Sequence, residues 1–131
     1  MSKPVILCVD DEKVVLQSLK TQLKQAFKDN YLYEVAEDAD EALEVISEFN
    51  EEEIDIILIV SDWLMPGMKG DELLIRIHEQ FPNIIKIMLT GQVDEAALQR
   101  AAEQANLHCC LHKPWSEEEL IETIKSALTK L

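Results

Sequence analysis

The sequence predicts an α/β domain with a doubly wound, five-stranded parallel sheet. Three observations lead there. Five short apolar runs are present. Five stretches carry apolar residues at three-four spacing. The two kinds alternate from one end of the 131 residues to the other. This length suits one globular domain, spanning 1–131, that buries about two-thirds of its unfolded surface.

Val5–Val9 is continuously apolar, as a strand covered on both faces should be. A first helix follows, with Val15, Leu16, Leu19, Leu23, Ala26 and Phe27 on one side. Tyr31–Ala36 alternates more weakly and reads as an edge strand. The second helix carries Ala42, Leu43, Ile46 and Phe49, with Asp40 as its expected cap. The acidic run Glu51–Asp55 reads as a solvated loop, and the strongly apolar Ile54–Ser61 as the third strand. Leu73, Leu74, Ile77 and Phe81 mark the third helix, which Pro82 ends. Ile84–Leu89 is the fourth strand. Asp94 should cap an Ala-rich fourth helix with Ala97, Leu98, Ala101, Ala102 and Ala105. Leu107–Leu111 is the fifth strand. Ser116 and Glu119 form a capping box before Leu120, Ile121, Ile124 and Leu128. Right-handed crossovers between these units give a flavodoxin-like (βα)5 sandwich of strand order 2-1-3-4-5.

Composition narrows the function. Lys and Arg number 12 against 26 Asp and Glu, a net charge of −14. Such acidity opposes direct binding to nucleic acid or to an anionic membrane, and favours cations or a basic partner. No apolar run approaches the roughly 20 residues of a membrane span. No basic-then-apolar leader opens the chain, and Cys8, Cys109 and Cys110 make no disulfide framework. These features lead us to expect a cytoplasmic protein.

Ligands of open α/β sheets bind beyond the carboxyl ends of the strands. There the first strand delivers Asp10, Asp11 and Glu12; the third, Ser61 and Asp62; the fourth, Thr90 and Gly91; the fifth, Lys113 and Pro114. A single Asp at a strand–helix junction is commonly a cap or a turn former. Three of them facing one Lys call for more. Two like charges 4 Å apart repel by about 4 kcal/mol at an effective dielectric near 20. A shared proton or a cation relieves this, and all-oxygen ligands suit Mg²⁺. Asp10 and Asp11 read as a metal pair. Asp62, a single acid on a central strand, reads as a nucleophile. Thr90 offers a hydroxyl and Lys113 a mobile charge. These are the parts needed to transfer a phosphoryl group to Asp62.

Asp10-Asp11, the stretch from Asp62 to Gly70 (Asp-Trp-Leu-Met-Pro-Gly-Met-Lys-Gly), Thr90-Gly91 and Lys113-Pro114 resemble the signature of two-component response-regulator receiver domains. The likeness runs from about Pro4 to the last helix, within the superfamily of chemotaxis regulators. It implies that Asp62 accepts a phosphoryl group from a phosphohistidine on a sensor histidine kinase or phosphotransfer protein. It implies Mg²⁺ bound by Asp11, Asp62 and the Leu64 carbonyl, with Asp10 acting through water. Thr90 would hydrogen-bond the phosphoryl group, Lys113 would pair with it, and Lys113–Pro114 would be cis. The face formed by the fourth helix, fifth strand and fifth helix would signal to an output domain or effector protein, and offers a surface for a homodimer. Such a module modifies only itself and turns over no free substrate.

The sequence departs from the pattern at Cys110, where the family usually has an aromatic residue that moves with the Thr. Leu64 and Gln92 flank the path of a hydrolytic water, and neither is a base, so slow self-dephosphorylation is expected with Leu64 as the obstacle. Two other functions compete. A small Mg²⁺-dependent phosphatase with an Asp nucleophile wants a second Asp two residues after it, whereas Leu64 follows Asp62 and Glu12 follows Asp10. A receiver-like adaptor that is never phosphorylated would not need the acid, Thr and Lys together. The His108, Cys109, Cys110, His112 cluster invites a zinc reading, but it lacks a second ligand set and reads as packing or surface. His78 is expected to face solvent. The Ala-rich helix should be held weakly and shift at low cost.

Overall fold

A computed structural model describes residues 3–92 and 94–131 of the chain. Five strands, β1 (Val5–Val9), β2 (Leu32–Ala36), β3 (Ile56–Asp62), β4 (Ile85–Thr90) and β5 (Cys109–His112), alternate with five helices. These are α1 (Lys13–Phe27), α2 (Ala39–Glu51), α3 (Gly70–Gln80), α4 (Glu95–Gln104) and α5 (Glu117–Leu128), with one 3-10 turn at Lys28–Asn30. All strand pairs are parallel, in the order β2-β1-β3-β4-β5. The expected flavodoxin-like fold is therefore present, with strand boundaries displaced by at most two residues from the apolar runs.

Strand period two divides the apolar side chains between two cores. Val5, Leu7, Val9, Ile59 and Met88 point toward α2, α3 and α4. Ile6, Cys8, Leu58, Val60, Ile87 and Leu89 point toward α1 and α5. Helices cover both faces, so the central strands need no polar side, which explains their unbroken apolar runs. Burial pushes the Cys8 thiol up to about 12, leaving it inert. On α4 only Ala97 and Ala101 are buried, joined by Ala105 just beyond it. Leu98 adds a partly buried contact to the same core, so the helix is anchored mainly by small side chains, as its composition implied.

Two sequence expectations are corrected. The cap of α2 is Asp38, whose side chain accepts the Glu41 N–H at 2.8 Å; Asp40 lies inside the first turn. Asp38 is the last extended residue before Ala39 turns inward, so it alone has the backbone of a cap. His78 does not simply face water. Its Nδ1 lies 3.0 Å from Nζ of Lys86, a residue only 1% exposed on β4. Asp94 and Ser116 cap α4 and α5 as expected, accepting the N–H groups of Ala97 and Glu119.

Lys86 is the one lysine in the core among the described residues. Its ammonium also donates to the Ile84 carbonyl at 2.6 Å, close to the start of its own strand. Burial lowers its pKa to about 8. A lysine depressed in the folded state binds fewer protons there than in the unfolded chain between about pH 8 and 10.5, so stability rises with pH across that window. Relative to Lys86→Met, the parent should gain on the order of 2–3 kcal/mol between pH 7 and pH 10.5. Urea unfolding of both proteins at the two pH values measures this; a constant difference would show that Lys86 folds with its charge at no penalty.

Candidate functional site

The carboxyl ends of β1, β3, β4 and β5 converge as the topology requires. Asp10 follows β1, Asp62 ends β3, Thr90 ends β4 and Lys113 follows β5. Asp10 is fully buried and Asp62 is 5% exposed, while Asp11 reaches solvent. Oxygens of the three carboxylates all lie within 4.8 Å of one another. Among the described residues this is the only group of three or more acidic, His or Cys side chains so placed. The His108–His112 cluster does not form one.

Lys113 sits among these acids. Its Nζ is 2.7 Å from Asp10 Oδ2 and 3.3 Å from Asp62 Oδ1. Its backbone N–H donates to the Thr90 carbonyl at 2.8 Å, which ties the β5 end to β4. Burial opposes the ammonium, yet its hydrogen bond to Asp10 and the charges of Asp10 and Asp62 hold its pKa above the ordinary value. Asp10 also accepts the Glu12 N–H at 2.9 Å. One cation thus answers three anions. Asp62 shows the deficit: burial first, then the charge of Asp10, push it up to about 6 despite Lys113.

The site opens into a cavity of about 620 Å³ lined in part by Asp11, Asp62, Leu64, Thr90 and Lys113. Leu64 is 47% exposed there, two residues beyond Asp62. The Thr90 hydroxyl is engaged with Gln92: it accepts the Gln92 N–H at 3.0 Å and donates to the Gln92 carbonyl in a short contact. It is thereby held at the mouth of the cavity rather than on an acid. The Lys113–Pro114 peptide is cis. Cys110 packs with the core under α4, on the side where an aromatic ring was expected from the resemblance.

The loop after Asp62 is fixed by backbone. Trp63 N–H donates to the Leu89 carbonyl at 3.0 Å and the Trp63 carbonyl accepts from Gly70 at 2.8 Å. A Cβ on Gly70 would lie 2.1 Å from the Asp62 carbonyl oxygen, so only glycine fits where α3 begins. Gly67 takes positive φ of 76° in the intervening turn, as the Pro66-Gly67 pair implies. Sequence reading missed Asp71 on α3, which is 3% exposed and accepts the Trp63 indole N–H at 3.1 Å. Asp in a first helical turn ordinarily serves the helix dipole, so nothing local distinguishes it.

This fold, with an acid triad, a threonine and a lysine at its strand ends, defines a class of small signalling modules, and the comparisons agree. The chain belongs to the response regulator receiver domain family, whose model matches residues 6–125. It is 28% identical to the chemotaxis protein CheY-3 of Vibrio cholerae over 96% of this chain and 92% of that one. It is also 28% identical to the hydrogenase transcriptional regulatory protein HoxA of Cupriavidus necator, covering 94% of this chain but 24% of HoxA. The chain thus spans about a quarter of that relative, and 8% of the hybrid signal transduction histidine kinase D of Dictyostelium discoideum. Among solved structures, the signal receiver domain of an HD domain-containing protein from Pseudomonas fluorescens Pf-5 superposes with a TM-score of 0.87 at 33% identity, covering 98% of this chain and 96% of that one.

Two outcomes follow from the crowding and the tight turn. Asp62→Asn removes one of three like charges and should stabilise the metal-free protein at pH 7 by roughly 1–3 kcal/mol, read by urea unfolding with a chelator present. A less stable variant would mean that the carboxylates are not in conflict. Gly70→Ala should cost several kcal/mol in the same assay, because backbone rather than a flexible side chain must yield. A near-neutral result would place the α3 start elsewhere.

Proposed function

We propose that the chain is a phosphoacceptor module of two-component signalling, with residues 1–131 forming one receiver domain. Asp62 is the acceptor. Its carboxylate oxygen attacks the phosphorus of a phosphohistidine on a sensor histidine kinase or phosphotransfer protein, and the bond from phosphorus to the imidazole nitrogen breaks. The imidazole leaves and recovers a proton from solvent. Lys113 is already within 3.3 Å of the acceptor and follows charge onto the new phosphoryl oxygens. Thr90 exchanges its bond to Gln92 for one to the phosphoryl group.

The donor set fits a hard divalent ion. Asp11 and Asp62 with the Leu64 main-chain carbonyl are the direct ligands in this reading, and Asp10 supports them through water. All donors are oxygens, and three carboxylates share the single ammonium of Lys113. Mg²⁺ bound there would neutralise charge on the transferring group. The observation that carries the proposal is the single Lys113 ammonium reaching both Asp10 and Asp62 with Asp11 alongside.

The α4-β5-α5 face is the output surface, since Thr90 and Lys113 adjoin these elements. It would meet an output domain or effector protein, or a second copy of the chain. No helix among the described residues is long and apolar enough to cross a membrane. A cytoplasmic setting fits the proposed kinase partner, and the net charge of −14 disfavours direct contact with nucleic acid. The module changes its own modification state and turns over no free substrate.

Incubation with acetyl phosphate and Mg²⁺, followed by intact-mass measurement, should give a gain of one phosphoryl group. A chelator or Asp62→Asn should abolish it. No gain in the parent would favour the unphosphorylated adaptor; release of phosphate from a generic phosphoester would favour the phosphatase. Leu64→Asn should shorten the lifetime of the phosphorylated form several-fold by admitting and orienting water, and an unchanged lifetime would clear Leu64 as the obstacle.

A further inference from the structure

Asp71 is the meeting point of two elements that the acid pocket does not itself join. Its Oδ1 accepts the Trp63 indole N–H at 3.1 Å. Its Oδ2 accepts from Arg100 on α4, at 3.0 Å from Nε and 2.5 Å from Nη2. Trp63 is bonded directly to Asp62 in the chain, and its backbone is pinned to Leu89 and Gly70. The Lys69 ammonium stands 5.1 Å from the Trp63 ring centroid. A continuous strap therefore runs from the acceptor aspartate through Trp63 and Asp71 to the outer helix.

The strap is unusual in what it holds. A buried carboxylate needs charge or donors around it, and Asp71 receives them only from Trp63 and Arg100 among the described residues. The fully buried side chains of α4 are both alanines, which contribute little apolar area, and Leu98 adds a partly buried contact to the same core. Among the described residues, Arg100–Asp71 is the one side-chain hydrogen bond from α4 to another helix or strand. The guanidinium is half exposed, so it can exchange Asp71 for water. A helix with small buried side chains, one partly buried leucine and one exchangeable charged contact is the kind of element that can shift at low cost.

We propose that Arg100 is a positioning residue that couples α4 to the acceptor loop: the Arg100–Asp71–Trp63 strap restrains the loop in its unmodified arrangement, and an occupied Asp62 releases α4. This rests on the phosphoacceptor reading given above. Coupling of this kind is reciprocal, so cutting the strap at α4 must alter what happens at Asp62, although Arg100 touches none of the acids.

Mg²⁺ with beryllofluoride, a stable stand-in for a phosphoryl group on a carboxylate, provides the test. Calorimetric titration compares the parent, Arg100→Ala, Arg100→Lys, Trp63→Phe and the Arg100→Ala/Trp63→Phe double variant, with unfolding midpoints taken alongside. Arg100→Ala should bind beryllofluoride about 3- to 10-fold more tightly than the parent. Arg100→Lys, which keeps the charge, should restore most of the parent affinity. In the Trp63→Phe background the Arg100→Ala effect should vanish. A purely structural role lowers the unfolding midpoint and leaves affinity unchanged, which overturns the proposal. So does weaker binding by Arg100→Ala, or a full effect in the Trp63→Phe background. A parent that binds no beryllofluoride sinks the phosphoacceptor reading itself, whereas a parent that binds while Arg100→Ala matches it sinks the strap alone.

Discussion

Three carboxylates and one ammonium share the end of the sheet, and the remaining structure serves that imbalance. Asp10 and Asp62 are withdrawn from water by the two helical layers, so their repulsion acts at a lower dielectric than it would on a surface. Lys113 reaches both, and Asp62 still retains an elevated pKa, from burial first and then the charge of Asp10. The proximity is imposed by topology. β1 and β3 are adjacent, and β5 is carried in by β4, so Asp62 ends its strand while Asp10, Asp11 and Lys113 lie within two residues of theirs. Folding thus maintains an electrostatic conflict that ligand binding can resolve.

The conflict gives the receiver fold its capacity to respond. In the proposed function, a cation entering this pocket would relieve the repulsion and allow a further anionic group to be accommodated. Thr90 is occupied with Gln92 and free to change partner at the cost of local hydrogen bonds. The backbone is closely packed at the β3 end and the Gly70 turn, where a Cβ would meet the Asp62 carbonyl oxygen. α4 is anchored more lightly, by two buried alanines, the partly buried Leu98 and one ion pair. The proposed signalling role calls for firm placement at the acceptor and a lightly anchored outer helix.

Much of this was legible in the sequence because it is written locally. Val5–Val9 is apolar at every position, which fits a central strand of a covered sheet. Each acid lies at the point where an apolar run stops, so the strand ends and their chemistry were read together. The cap of α2 was misplaced because Asp38 and Asp40 are chemically alike and only the backbone separates them. Lys86 was absorbed into an apolar run, since nothing beside it reveals that His78 and the Ile84 carbonyl receive its ammonium. The Asp71–Arg100 pair spans 29 residues and two helices, a separation at which spacing carries no signal.

Magnesium titration of the metal-free protein by calorimetry addresses the central claim most directly. The account requires one ion per chain, with binding lost in Asp11→Ala and retained in a remote acidic variant such as Glu48→Ala. Uptake with no fixed stoichiometry, or equal uptake by Asp11→Ala, would contradict it: the carboxylates would then be neighbours without a shared task.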